Sequence, residues 1–195
     1  MKINEITKFN KDLSAGLKGR HNPKIHKFLT DKGWKYVDQG FFSVVYISPN
    51  NKTILKVNRI PDPGYDHFVD VIKANKNNHF PVISDKKTLP DGSSAYLIER
   101  LYDMTYDADR KIMMAVLDAN SYMMVNKFDD YVKLYPTLVE KLKKEQPGMI
   151  EALMIEALMI LAKNKGQYTD DLRHDNIMKR ADGTVIIIDP YGVTK

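Results

Sequence analysis

Hydrophobic positions along this chain change their period twice. Between Trp34 and Asn58 they alternate with polar ones in short runs, which predict strands at 34–37, 42–47 and 53–57. Asp38-Gln39-Gly40 breaks the first pair of runs, and Ser48-Pro49-Asn50-Asn51 supplies a turn between the second pair. Two more strands are expected at 81–83 and 94–98, with a turn at 89–92 between them. Phe68, Val69 and Ile72 share one side of a helix expected over 65–75. The first half therefore reads as a five-stranded antiparallel sheet with one helix inserted after the third strand.

From Asp109 the period becomes helical. Met113, Met114, Val116 and Leu117 open one helix, and a second is expected over 131–144 with Pro136 near its first turn. In the third, Met149-Ile150-Glu151-Ala152-Leu153 repeats letter for letter as Met154-Ile155-Glu156-Ala157-Leu158. Its apolar residues run all round, so it is expected to be buried on most sides. A period of five does not match 3.6, so no coiled-coil seam is expected. Asn164-Lys165-Gly166 is a stop signal. Ahead of the sheet, Ile3, Ile6 and Phe9, then Ile25, Phe28 and Leu29, predict one or two short helices. The expected organisation is a helical cap over 1–33, a sheet lobe over 34–101 and a largely helical lobe over 102–195: an α+β fold of two lobes.

Composition narrows the setting. The 195 residues contain no cysteine, which excludes disulfides and thiolate metal sites and suits a reducing cytoplasm. No apolar run is long enough to cross a membrane, so no membrane partner is expected. The net charge of +5 is concentrated at 1–35, with nine Lys/Arg against three Asp/Glu. A nucleic-acid partner is not favoured there, because aromatics interleaved for base stacking are lacking. Oligomeric state is left open.

Candidate chemistry lies near the C-terminus. Asp171 is followed five positions later by Asn176, and Asp189 ends the apolar run Val185-Ile186-Ile187-Ile188. A hairpin of 177–180, a turn at 181–183 and a return at 184–188 would make Asn176 and Asp189 neighbours. An amide oxygen and a carboxylate suit a hard cation such as Mg²⁺. Asp171 would then accept a proton from an attacking hydroxyl. Upstream, Lys56 stands between Leu55 and Val57 in an apolar strand and calls for an anionic partner, which phosphate oxygens supply. Gly40 opens a hairpin tip to phosphate, and Ser43 adds a hydroxyl.

These motifs, in this order, resemble the protein-kinase-like fold. Asp38-Gln39-Gly40-Phe41-Phe42-Ser43-Val44-Val45 lies where that family has G-x-G-x-x-G-x-V. Lys56 matches the V-A-I-K lysine, Ile98-Glu99-Arg100-Leu101 the hinge, Asp171 and Asn176 the catalytic loop, and Asp189 the D-F-G aspartate. The Gly40-to-Tyr46 stretch, Asn176-Ile177-Met178 and Ile188-Asp189-Pro190 are similar to the early protein kinases of T7-like bacteriophages.

The resemblance implies ATP and Mg²⁺, a serine/threonine kinase activity towards host proteins, and the host cytoplasm. It implies that Lys56, Gly40 and Ser43 position phosphates, and that Val45, Ile54, Met178 and Ile188 form an adenine slot with Glu99 and Leu101 at the hinge. Asn176 and Asp189 would hold the metal, and Arg173 would offset charge on the transferring group. All would gather in one pocket between the lobes.

The chain also departs from the family. Asp38 and Ser43 replace glycines, Thr169 replaces the histidine of H-R-D, and Arg173 replaces lysine. The helix after Lys56 offers Asp66 or Asp70 where the family has Glu. Two alternatives follow. One is a small-molecule, antibiotic-type kinase, with Asp170 and Asp175 lining an acidic acceptor pocket. The other is a pseudokinase that binds and inhibits a host protein.

Overall fold

The computed structural model describes residues 23–40, 42–89, 92–163 and 168–193. The expected helix at 3–9, Phe41 of the candidate phosphate loop, the centre of the turn at 89–92 and the stop at Asn164-Lys165-Gly166 lie outside the described residues. Contacts divide the chain into two compact units. One holds the residues up to Asp66 together with Val82–Arg100, and the other holds His67–Pro81 and the residues from Leu101 onward.

The first unit begins with helix α1, Pro23–Asp31. It ends where Gly33 takes φ +79°, a conformation that favours glycine, and a side chain there would also meet Pro49 at 3.2 Å. Strands β1 (Lys35–Gln39), β2 (Ser43–Ile47), β3 (Thr53–Asn58), β4 (Ile83–Thr88) and β5 (Ser94–Glu99) follow. They form one antiparallel sheet in the order β1-β2-β3-β5-β4.

Because side chains alternate along strands, the sheet has two distinct faces. Val44, Tyr46, Leu55, Val57 and Ala95 pack with Ile25, Leu29 and Trp34 into an apolar core. Val45, Ile54 and Lys56 share the opposite face and are only partly buried. Helix α2, Pro63–Ala74, follows β3, and the boundary between the two units falls inside it. The sheet and its inserted helix are as the sequence led one to expect.

Two strand bounds differ from expectation. β1 runs through Asp38 and Gln39, which pair with Val45 and Val44 after a register shift, so only Gly40 remains as the break. β4 runs over 83–88 and not 81–83. It is an edge strand carrying Asp85, Lys86 and Lys87, and pairing with β5 supplies what its composition does not signal.

In the second unit, α3 (Tyr106–Met124), α4 (Phe128–Leu134), α5 (Pro136–Glu145) and α6 (Met149–Lys163) form the helical part. The expected helix over 131–144 is two helices. Pro136 has no N–H to continue a helix and disfavours helical backbone at the preceding residue, so Tyr135 breaks out at ψ 49° and Pro136 starts α5.

Helix α6 is buried on most sides, as expected: among 149–160 only Glu151, Met154 and Leu158 are exposed, along one stripe. Its two repeat copies nevertheless pack differently. Five residues advance a helix by about 140° beyond a full turn. Equivalent positions therefore face different ways: Leu153 is fully buried while Leu158 is 63 % exposed, and Glu151 faces solvent while Glu156 is buried. Among the described residues no helix is long and apolar enough to cross a membrane.

Short strands complete this unit: β6 (Tyr102–Asp103), β7 (Tyr168–Asp170), β8 (Ile177–Lys179), β9 (Val185–Ile187) and β10 (Tyr191–Val193). β6, β8 and β9 form one antiparallel sheet, and β7 pairs with β10.

Candidate active site

The candidate residues fall into two groups, one in each unit. In the first, pairing places Val45, Lys56, Tyr96 and Lys86 in one row across β2, β3, β5 and β4. Ile54 precedes Lys56 by two residues and shares its face. Lys56 Nζ lies 3.2 Å from the centroid of the Tyr65 ring, a cation–π contact. Tyr65 packs edge-on against Tyr96, with ring centroids 4.9 Å apart.

Asp66 has several partners of its own. Its carboxylate lies 2.6 Å from Lys86 Nζ and accepts hydrogen bonds from Tyr96 at 2.8 Å and Ser94 at 3.1 Å. Asp70 is exposed. Glu99 sits at the end of β5, where its side chain accepts from the Val82 N–H at 2.8 Å. Leu101 is buried at the start of the second unit.

The turn between β1 and β2 is closed by the Gly40 N–H, which donates to the Ser43 carbonyl at 2.9 Å. A side chain at Gly40 would meet nothing within 4 Å, so the backbone there is open to a ligand. Arg59 grips this turn. Its guanidinium donates to the Gly40 carbonyl, and its N–H donates to the Phe42 carbonyl at 2.7 Å. Nothing in the local pattern around Arg59 signals this clamp, because it joins residues nineteen apart.

In the second unit, the loop after β7 carries Asp171 and turns through a short 3₁₀ segment, His174–Asn176, into the β8–β9 hairpin. The Asp171 N–H donates to the Pro190 carbonyl at 2.8 Å, and the Ile188 N–H to the Asn176 carbonyl at 3.0 Å. These bonds bring the backbone on both sides of Asp189 against the two ends of the 171–176 loop. The Asn176 side-chain amide donates to the Asp171 carbonyl at 2.8 Å.

That bond fixes the amide and leaves its Oδ1 without a hydrogen bond among the described residues. Asp189 is partly buried. A fixed amide oxygen and a carboxylate fit Mg²⁺, which takes one or two protein oxygens and completes its shell with phosphate and water. Asp171 keeps its carboxylate 41 % exposed, with Arg173 Nε at 3.3 Å, and Arg173 also lies 3.6 Å from Asp175. Met178 and Ile188 are partly buried.

The hairpin is held from behind by His79, which sequence reasoning did not single out. Its Nδ1 lies 2.7 Å from the Val185 carbonyl and its Nε2 2.9 Å from the Pro147 carbonyl. Its own carbonyl accepts from the Ile187 N–H at 2.9 Å. A neutral imidazole carries one N–H, so replacing His79 by Ala leaves at least one of these carbonyls short of its donor. Unfolding in urea should show a loss of about 1–3 kcal/mol. A change under about 0.5 kcal/mol, the range of ordinary surface substitutions, would contradict this role.

No protein-family model and no curated protein matches the sequence. Many solved structures are similar to it, including these three. The streptomycin–ATP ternary complex of APH(2'')-IIa has 17 % identity and a TM-score of 0.40, covering 90 % of this chain and 73 % of that one. The ADP-bound aminoglycoside phosphotransferase APH(2'')-Ib has 15 % identity and a TM-score of 0.41, with coverage of 90 % and 73 %. The GDP complex of a mutant aminoglycoside 2'-phosphotransferase-IIIa has 12 % identity and a TM-score of 0.42, with coverage of 88 % and 74 %. At these identities the likeness concerns the fold.

Proposed function

We propose that this chain is an ATP-dependent phosphotransferase that moves the γ-phosphoryl group to an alcohol hydroxyl. The observation that carries this reading is the loop closed by the bond from Asn176 to the Asp171 carbonyl. It leaves one amide oxygen open and holds it beside the strand end that carries Asp189. Lys56 serves the α- and β-phosphates, and Gly40 and Ser43 contribute backbone and hydroxyl donors. Val45, Ile54, Met178 and Ile188 give apolar contact to the base, with Glu99 and Leu101 at its polar edge.

Asn176 and Asp189 would hold Mg²⁺, which when bound would neutralise charge on the phosphates. The acceptor oxygen forms a bond to the γ-phosphorus as the bond to the β,γ-bridging oxygen breaks and ADP leaves. The acceptor proton passes to an Asp171 carboxylate oxygen. Arg173 offsets charge on the transferring group.

Two acceptor classes are proposed. The motif resemblance favours a Ser or Thr hydroxyl of a host protein. The exposed acids Asp171 and Asp175 flanking Arg173 support a small-molecule alcohol, since they present negative charge to an acceptor. A screen with γ-labelled ATP separates them. Label should appear on a protein band in host lysate under the first reading and on a small-molecule spot under the second. No transfer to either, with Mg²⁺ present, would count against the phosphotransferase.

A further inference from the structure

We propose that Asp170 and Asn120 are positioning residues, a polar support that sets the turn on which Asp171 stands. The kinetic part of this inference rests on the phosphotransferase reading; the structural part does not. Asp170 directly precedes Asp171, and its bonds point to a role other than lining an acceptor pocket. Its Oδ1 accepts the Leu172 N–H at 3.0 Å, so its side chain closes the turn around Asp171. The Asn120 amide donates to both Asp170 oxygens at 3.1 Å. Asn120 is 1 % exposed, so the turn is fastened to the interior of α3. The Asp171 N–H is fastened separately to the Pro190 carbonyl. Together the bonds fix the backbone on both sides of the Asp171 side chain.

Below this turn the interior is polar without being paired. Glu156 of α6 is 1 % exposed, and neither of its carboxyl oxygens has a hydrogen-bond partner among the described residues. The same holds for Asn120 Oδ1 and the Tyr191 hydroxyl. Burial first, and the Asp170 carboxylate second, raise the Glu156 pKa well above the usual carboxylate range. The counterpart of Glu156 in the repeat, Glu151, is an ordinary surface residue.

The test combines amide hydrogen exchange with kinetics. In Asp170→Ala and in Asn120→Leu, the Leu172 amide should exchange at least about tenfold faster than in the wild type. The kcat for transfer should fall about tenfold with the KM for ATP unchanged. The double variant should be no worse than either single one, because both remove the same link. Asp170→Asn keeps an acceptor oxygen and should restore slow exchange. Glu156→Gln, which leaves every bond of this support in place, should match the wild type in both readouts.

Unchanged Leu172 exchange in Asp170→Ala would overturn the proposal. So would additive losses in the double variant, or a Glu156→Gln that exchanges as fast as Asp170→Ala. Faster exchange in a protein that transfers no phosphate to any acceptor would uphold the support and count against the phosphotransferase instead.

Discussion

Replacing Asp171 by Asn is expected to slow γ-phosphoryl transfer by about 10²–10⁴-fold, the range that a positioned general base contributes, while ATP affinity stays within a few-fold. The substitution removes the proton acceptor and little else. The Asp171 carbonyl still accepts from Asn176, and its N–H still donates to Pro190, because both bonds are made by the backbone. The side chain is also accessible enough for a substrate hydroxyl to reach it. Its contact with Arg173 is exposed and adds little to stability. Single-turnover transfer and calorimetric ATP binding, measured on the same preparation, separate the two effects. Equal transfer rates for wild type and variant would remove Asp171 from the chemistry.

Asp189→Asn should have a comparable effect by a different route. Of the two proposed metal ligands, Asn176 contributes a neutral oxygen, so Asp189 supplies the charge. A metal that stabilises phosphoryl charge is worth several kcal/mol. At about 1.4 kcal/mol per factor of ten, its loss corresponds to about 10²–10³-fold in transfer. ATP binding should also lose its dependence on Mg²⁺, which Asp171→Asn should leave intact. The Ile188 N–H bond to the Asn176 carbonyl does not involve the Asp189 side chain, so the hairpin should survive. A variant that binds ATP with full Mg²⁺ dependence would exclude Asp189 as a ligand.

Features written in local sequence were readable in advance. The alternation through β2, β3 and β5 reports a sheet with one buried face. The Asp171-to-Asn176 spacing and the turn before Val185 report a loop and hairpin, the first closed by a bond only five residues apart. Features made by distant contacts were not readable. β4 is charged and becomes a strand by pairing with β5. β7 and β10 are three residues each, and their pairing joins Thr169 to Gly192, neither of which carries an apolar signal. Arg59, His79 and Asn120 act through partners far away in the chain. Pro136 was visible, but its consequence was misjudged: placed inside one helix, it in fact starts another. The repeat in α6 reads as uniform packing until the helical advance is counted, which separates Glu151 from Glu156.

The most direct test of the central claim is calorimetric titration of ATP into the full chain, with and without Mg²⁺, for the wild type, Lys56→Met and Asp189→Asn. The expected result is saturable, Mg²⁺-dependent binding by the wild type that either substitution weakens at least about tenfold, a loss of about 1.4 kcal/mol. Wild-type binding that is absent, indifferent to Mg²⁺, or unchanged by both substitutions would contradict it.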